Sequence, residues 1–140
     1  MTGAAGPPAA GAAGGYGYTV PVLRLGDILL VTLQGELHDG MAEQLQHDIT
    51  DRIAHSRVTG VVIDISGVDI VDSFLGRVLA EIAAAAELLA ARTVLAGMRP
   101  AVAITLVELG LTLPGLRTAL DVERAMELLA GDARHGEGSP

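Results

Sequence analysis

Ser73 is the residue of this chain whose type and position could carry regulatory chemistry. It ends the segment DISGVDIVDS, residues 64–73, which reads as a buried strand, a short acidic turn and the start of a helix. Backbone N–H groups point outward at a helix start and the dipole is positive there, so the helix would favour a phosphate on the Ser73 hydroxyl. The carboxylates of Asp69 and Asp72 would oppose it. The pattern therefore indicates a phosphoryl acceptor; the simpler alternative is that Asp72 or Ser73 only caps the helix.

The same segment offers a second chemistry, because Asp64, Asp69 and Asp72 place three carboxylates close together in sequence. Carboxylate oxygens are ligands that Mg²⁺ accepts, so a metal site is a possible reading. We favour a solvated acidic loop in which one aspartate caps the helix. We therefore predict no metal and no cofactor.

Two other groups of residues give weaker signals. His38, His47 and His55 lack the four-residue spacing of a helical zinc pair, so we expect them to lie on the surface. The segment GMRP, residues 97–100, lacks the glycine spacing of a phosphate loop. We expect Gly97 to relax a turn and Pro100 to occupy the first position of a helix.

Strand patterns and helix patterns alternate along the chain, and these elements must position Ser73. Apolar runs at 22–25, 28–33, 61–65 and 93–97, with a short extended piece at 116–119, are typical of strands. The Gly26-Asp27 pair between the first two runs predicts a hairpin. The run at 61–65 is apolar on both faces, as in a central parallel strand. We predict an α/β fold with a mixed, mainly parallel sheet of four to five strands and about four helices.

Four helices are predicted from apolar residues three or four positions apart. They begin near Asp39, Ser73, Pro100 and Asp121, the last of these as a cap. The expected inward residues are, helix by helix, Ala42, Leu45, Ile49 and Ile53; Leu75, Val78, Leu79, Ile82, Ala86 and Leu89; Val102, Leu106 and Leu109; Val122, Ala125, Met126 and Leu129.

Composition restricts the function further. The 140 residues carry a net charge of −8 and 2% aromatic residues, which argues against binding to nucleic acid or to an anionic membrane surface. The absence of cysteine excludes disulfides and thiolate metal sites and is compatible with the cytoplasm. Residues 1–19 are rich in Gly, Ala and Pro and are predicted to form a disordered tail. The folded domain is predicted at 20–130, followed by a flexible tail at 131–140.

Four blocks of this sequence resemble a known family. They are VPVLRL at 20–25, VVIDI at 61–65, VDIVDSF at 68–74 and RPAVAITLVELG at 99–110. They are similar to the STAS domain of anti-sigma factor antagonists, and above all to its RsbS branch, the small scaffold proteins of the stressosome. The resemblance extends over nearly all of residues 20–130.

The resemblance implies a role for Ser73 and its neighbours. By position, Ser73 corresponds to the family's regulatory phosphorylation site, and Asp69, Asp72 and Phe74 correspond to the partner-binding surface around it. Free-standing antagonists usually follow the serine with a second Ser or Thr and a Gly. Here Phe74 and Leu75 stand in that place, which fits the scaffold branch better.

The implied function is a non-enzymatic, cytoplasmic scaffold subunit that forms homo- and hetero-oligomers with sensor-bearing STAS paralogues. It would retain a switch serine/threonine kinase and release it once Ser73 is phosphorylated, and a phosphatase would reverse the modification. An alternative is a free-standing anti-anti-sigma factor regulated through the same serine. A third possibility is an enzyme or nucleotide-binding domain on the same fold, against which the missing phosphate loop argues.

Overall fold

The computed structural model describes residues 20–111, 113 and 115–137, and side chains as far as Gly131. The predicted tail at 1–19 lies outside the described residues and stays a prediction. The elements are β1 (Val22–Leu25), β2 (Ile28–Gln34), α1 (Asp39–His55), β3 (Gly60–Gly67), α2 (Ser73–Leu88), β4 (Arg92–Ala96), α3 (Pro100–Glu108), β5 (Leu116–Ala119) and α4 (Val122–Glu137).

The strands form one five-stranded sheet in the order β1-β2-β3-β4-β5. The first pair is antiparallel, with Leu25 opposite Ile28, and every other neighbouring pair is parallel. Gly26 sits in the tight connection at φ +65°, a left-handed conformation that glycine adopts without steric cost. The predicted hairpin and the predicted mixed α/β fold are both confirmed.

Helices cover both faces of the sheet, which explains the continuous apolar run in β3. Val61, Ile63 and Ile65 pack in the core formed with α1, α2 and α3. Val62 points to the opposite face, where Ala125 and Leu129 of α4 form a smaller cluster with it. A central parallel strand with both faces buried has no polar face to present, and β3 follows that rule as predicted.

The residues predicted to face the core do so along each helix, except at the C-terminal ends of α2 and α3. All four expected residues of α1 are buried, as are five of the six expected in α2. Leu89 and Leu109 were predicted to point inward, and both predictions are wrong: they are 39% and 45% exposed. Each is the C-cap of its helix, the last position before the chain turns away from it. Gly110 at φ +68° completes the turn after α3.

The last helix is capped as expected, because Asp121 Oδ1 accepts a hydrogen bond from the Arg124 backbone N–H at 2.8 Å. It continues to Glu137, beyond residue 130, where the flexible tail was predicted to begin. Among the described residues, no helix is long and apolar enough to cross a membrane.

Candidate functional site

The candidate site lies where the central parallel strands end. The loop at 68–72 leaves β3 for α2, and the turn at 97–99 leaves β4 for α3. Since β3 and β4 are parallel neighbours, the two connections meet at one edge of the sheet. In open α/β sheets this carboxyl edge is where loops are free to carry functional side chains.

Asp72 is the N-cap of α2. Its Oδ1 accepts a hydrogen bond from the Leu75 backbone N–H at 2.9 Å, and its carbonyl accepts one from Gly76 N–H at 3.1 Å. The capping interpretation is therefore confirmed for Asp72. It does not extend to Ser73, which is the first residue of the helix.

Ser73 is exposed, and its hydroxyl forms no hydrogen bond with any residue that the structure describes. The hydroxyl oxygen of a capping serine would accept a hydrogen bond from a backbone N–H. This hydroxyl is instead open to solvent beside the positive end of α2. Chemically, such an oxygen can accept a phosphoryl group from an approaching partner.

Asp69 belongs to an ion pair that crosses between the two loops. Arg99 Nη1 lies 2.8 Å from Asp69 Oδ1, and Arg99 Nε donates to the Ser66 carbonyl at 2.9 Å. Arg99 was not among the predicted site residues. Arg99 lies in the turn after β4, and a charged residue there can reach the loop after β3. That contact can be predicted only once β4 is known to be the parallel neighbour of β3.

Gly97 allows the turn after β4 to approach the end of β3. It adopts φ +74°, and a Cβ built there would lie 2.9 Å from Ser66 Cβ and 3.3 Å from Asp64 Oδ1. That same Asp64 oxygen accepts a hydrogen bond from the Ser66 backbone N–H at 3.0 Å. The expected turn at Gly97 and helix start at Pro100 are both confirmed.

The three-carboxylate metal site considered above is not assembled in the described part of the chain. Asp64 accepts the Ser66 backbone N–H, Asp69 pairs with an arginine, and Asp72 caps α2. Across the residues described with side chains, no group of three potential ligands converges on one point.

The three histidines considered above lie outside the two connections that form the site. Each of the three is exposed, as predicted: His38 precedes α1, and His47 and His55 lie on that helix.

Phe74 and Ile70 give the site its apolar component. Phe74 is half-buried and packs against the main core, and the guanidinium carbon of Arg77 lies 5.8 Å from its ring centroid. Ile70 is 81% exposed, because the flanking Val68 and Val71 are buried and anchor the loop on either side of it. Ile70 was not among the predicted site residues, because the turn that contains it was identified by its carboxylates.

Comparison with known proteins supplies the family context. The model of the STAS domain family matches residues 19–125. A serine-to-glutamate variant of RsbS from Moorella thermoacetica is 42% identical, with 82% of this chain and 97% of that chain covered and a TM-score of 0.73. A chain from the solved architecture of the stressosome, described as a signal integration and transduction hub, is 43% identical, with coverages of 81% and 99% and a TM-score of 0.72.

The RsbT co-antagonist proteins among the curated relatives are longer than this chain. RsbT co-antagonist protein RsbRD of Bacillus subtilis is 27% identical over 109 residues, which are 77% of this chain. The matched part is only 39% of RsbRD, so the chain spans about two fifths of the length of this relative.

Proposed function

This chain belongs to the STAS domain family, and from that premise we propose that it is a non-enzymatic scaffold subunit of a stressosome-type assembly. In this proposal it retains a switch serine/threonine kinase and releases it when Ser73 is phosphorylated. The observation that carries the proposal is the exposed Ser73 hydroxyl at the first position of α2, which forms no hydrogen bond with the residues that the structure describes. Similarity to RsbS over nearly the whole of that protein supports the scaffold role.

The phosphoryl transfer uses ATP bound to the kinase. Ser73 Oγ attacks the γ-phosphorus, the new O–P bond forms as the bond to ADP breaks, and a base on the kinase takes the hydroxyl proton. The chain itself contributes the acceptor and its presentation. Asp72 holds the first turn of α2 in place through its cap, so the acceptor oxygen stays at a defined point of the surface.

The surface that contacts the kinase in this proposal consists of Asp69, Ile70, Asp72 and Phe74. Ile70 supplies an exposed apolar anchor, and Asp69 is held in position by Arg99. A phosphate adds a charge of about −1.5 to −2 beside the capping carboxylate. Repulsion and the cost of desolvating that anion then disfavour the contact, and the kinase leaves.

The partners follow from the same similarity. RsbRD shares the STAS portion of its sequence with this chain and has further residues outside it. We propose that the chain assembles with itself and with longer paralogues of that kind, which would bring the sensory domains. A phosphatase would restore Ser73, and the whole cycle would take place in the cytoplasm.

Intact-mass measurement after incubation with the cognate kinase and ATP tests the phosphorylation. Wild type and Ser66→Ala should gain one phosphate and Ser73→Ala none. Ser66 is a matched control because it is an exposed serine at the same edge whose structural hydrogen bonds use only its backbone. Phosphate that persists in Ser73→Ala would refute the assignment.

Kinase retention and particle size test the scaffold role. The kinase should leave wild type on addition of ATP and stay bound to Ser73→Ala. Light scattering of the complex with a sensor-bearing paralogue should give a very large particle. A small heterodimer or heterotetramer with one inhibitor would instead identify a free-standing antagonist.

A further inference from the structure

We infer that Arg77 is the intramolecular partner of a phosphate on Ser73 and fixes it against the first turn of α2. The inference rests on the proposed phosphorylation of Ser73 and adds a positioning residue to that site. It is carried by the contact of the Arg77 guanidinium with the Phe74 ring and by the absence of a competing carboxylate among the residues described with side chains.

The spacing places the two residues on one face of the helix. Ser73 and Arg77 are four residues apart in α2, and residues so spaced are neighbours with Cβ atoms about 5–6 Å apart. Side chains on a helix lean toward its N-terminus, so Arg77 extends toward Ser73 rather than away from it.

The contact with Phe74 shows where the guanidinium lies. Its central carbon is 5.8 Å from the ring centroid of Phe74, the second residue of the helix. The charge therefore already lies over the first turn, which begins with Ser73. A cation–π contact of this kind holds the guanidinium in place without using its N–H donors in ion pairs.

Arg77 has no carboxylate partner among the residues described with side chains. Glu81, one turn further along the helix, accepts a hydrogen bond from Gln46 Nε2 at 2.8 Å. Arg99, another cation at this edge, is held through Nη1 by Asp69 and through Nε by the Ser66 carbonyl. A phosphate on Ser73 would thus meet in Arg77 a guanidinium with no competing carboxylate among the residues described with side chains, whereas Arg99 is already paired with Asp69.

The pairing determines where the new charge stands. A guanidinium offers a planar set of N–H donors that matches two phosphate oxygens at once. Held in this way, the phosphate stays beside Phe74 and the capping carboxylate of Asp72, instead of turning freely into solvent. The anion then occupies the surface proposed to contact the kinase.

Phosphorus NMR tests the inference without the kinase. Phosphoserine is installed at position 73 during translation, and the titration of the phosphate is followed in wild type, Arg77→Gln, Arg77→Lys, Arg99→Gln and Arg92→Gln. A neighbouring cation favours the dianion and so lowers the phosphate pKa. Arg92 is an exposed arginine that opens β4 at the opposite edge of the sheet, so its variant controls for the overall loss of one charge.

The expected result is a phosphate pKa about 0.3 pH unit higher in Arg77→Gln than in wild type, with Arg77→Lys in between and Arg92→Gln unchanged. Equal shifts in Arg77→Gln and Arg92→Gln, no shift in either, or a shift confined to Arg99→Gln would overturn the inference. Because the phosphoserine is encoded, the kinase assays of Ser73→Ala test the proposed function separately.

Discussion

Arg99 and Asp69 join the ends of two neighbouring parallel strands, with 2.8 Å between Nη1 and Oδ1. The same guanidinium donates from Nε to the Ser66 carbonyl, so one side chain ties the turn after β4 to the loop that leads to Ser73. Both partners are more than half exposed, and exposed ion pairs add little to stability. The contact therefore matters for the shape of the loop more than for the free energy of unfolding.

Replacing Arg99 by Gln should lower kinase affinity while changing the free energy of unfolding by less than about 1 kcal/mol. The loop would lose its link to β4, and Asp69 would no longer be held at the contact surface. Titration of the kinase and denaturant unfolding measure the two effects. In a double-mutant cycle with Asp69→Asn, a coupling energy near zero for kinase binding would contradict the prediction.

Arg124→Gln is the matched control for that variant. It removes an ion pair of the same 2.8 Å length and similar exposure, between Arg124 Nη1 and Asp121 Oδ2 at the start of α4. Kinase affinity should be unchanged in this control, because the pair is local to the first turn of α4 and contains none of the residues proposed to contact the kinase.

Asp72→Ala should destabilise the domain by about 1 kcal/mol, since the Leu75 backbone N–H loses its acceptor at the start of α2. For a domain of this size the thermal midpoint should fall by roughly 4–8 °C. Asp72→Ser keeps a capping oxygen and should recover most of the loss. Calorimetry that gives equal midpoints for wild type and the Ala variant would show that the cap contributes nothing measurable.

Capping and hairpin chemistry could be predicted from the sequence because both depend on residues close together in the chain. Asp72 lies three residues from the N–H that it accepts, and Gly26 lies in the turn that it shapes. The role of Arg99 could not be predicted in this way. It is separated from Asp69 by thirty positions, and their contact requires β3 and β4 to be neighbours.

The other differences concern apolar side chains that are exposed, one at the end of a helix and one in a loop. Leu89 continues the apolar stripe of α2, but the helix ends at Leu88, and the stripe no longer faces the core beyond that point. Ile70 lies in the acidic turn, where Val68 and Val71 take the buried positions. Periodicity alone does not reveal where a helix stops or which residue of a loop is left outside.

Gly97→Ala should destabilise the domain by about 1–3 kcal/mol, because alanine is strained at φ +74° and its methyl group would press on Ser66. Gly40→Ala is the control, since a Cβ there meets nothing within 4 Å and the position lies in the first turn of α1. That variant should be neutral or more stable by up to about 1 kcal/mol. Equal unfolding free energies for the two variants would refute the close packing of Gly97 against Ser66.

Ile70→Ala should weaken kinase binding by more than about 1 kcal/mol if this side chain is an anchor of the interface. The free energy of unfolding should hardly change, because an 81% exposed side chain buries little apolar surface in the free domain. Leu88→Ala is the matched control: it removes a comparably exposed apolar side chain, 87% exposed, at the opposite end of α2. Kinase titrations of the two variants decide the matter. An equal loss of affinity in both would place the contact elsewhere, whereas a loss confined to Ile70→Ala would locate it at the loop that precedes Ser73.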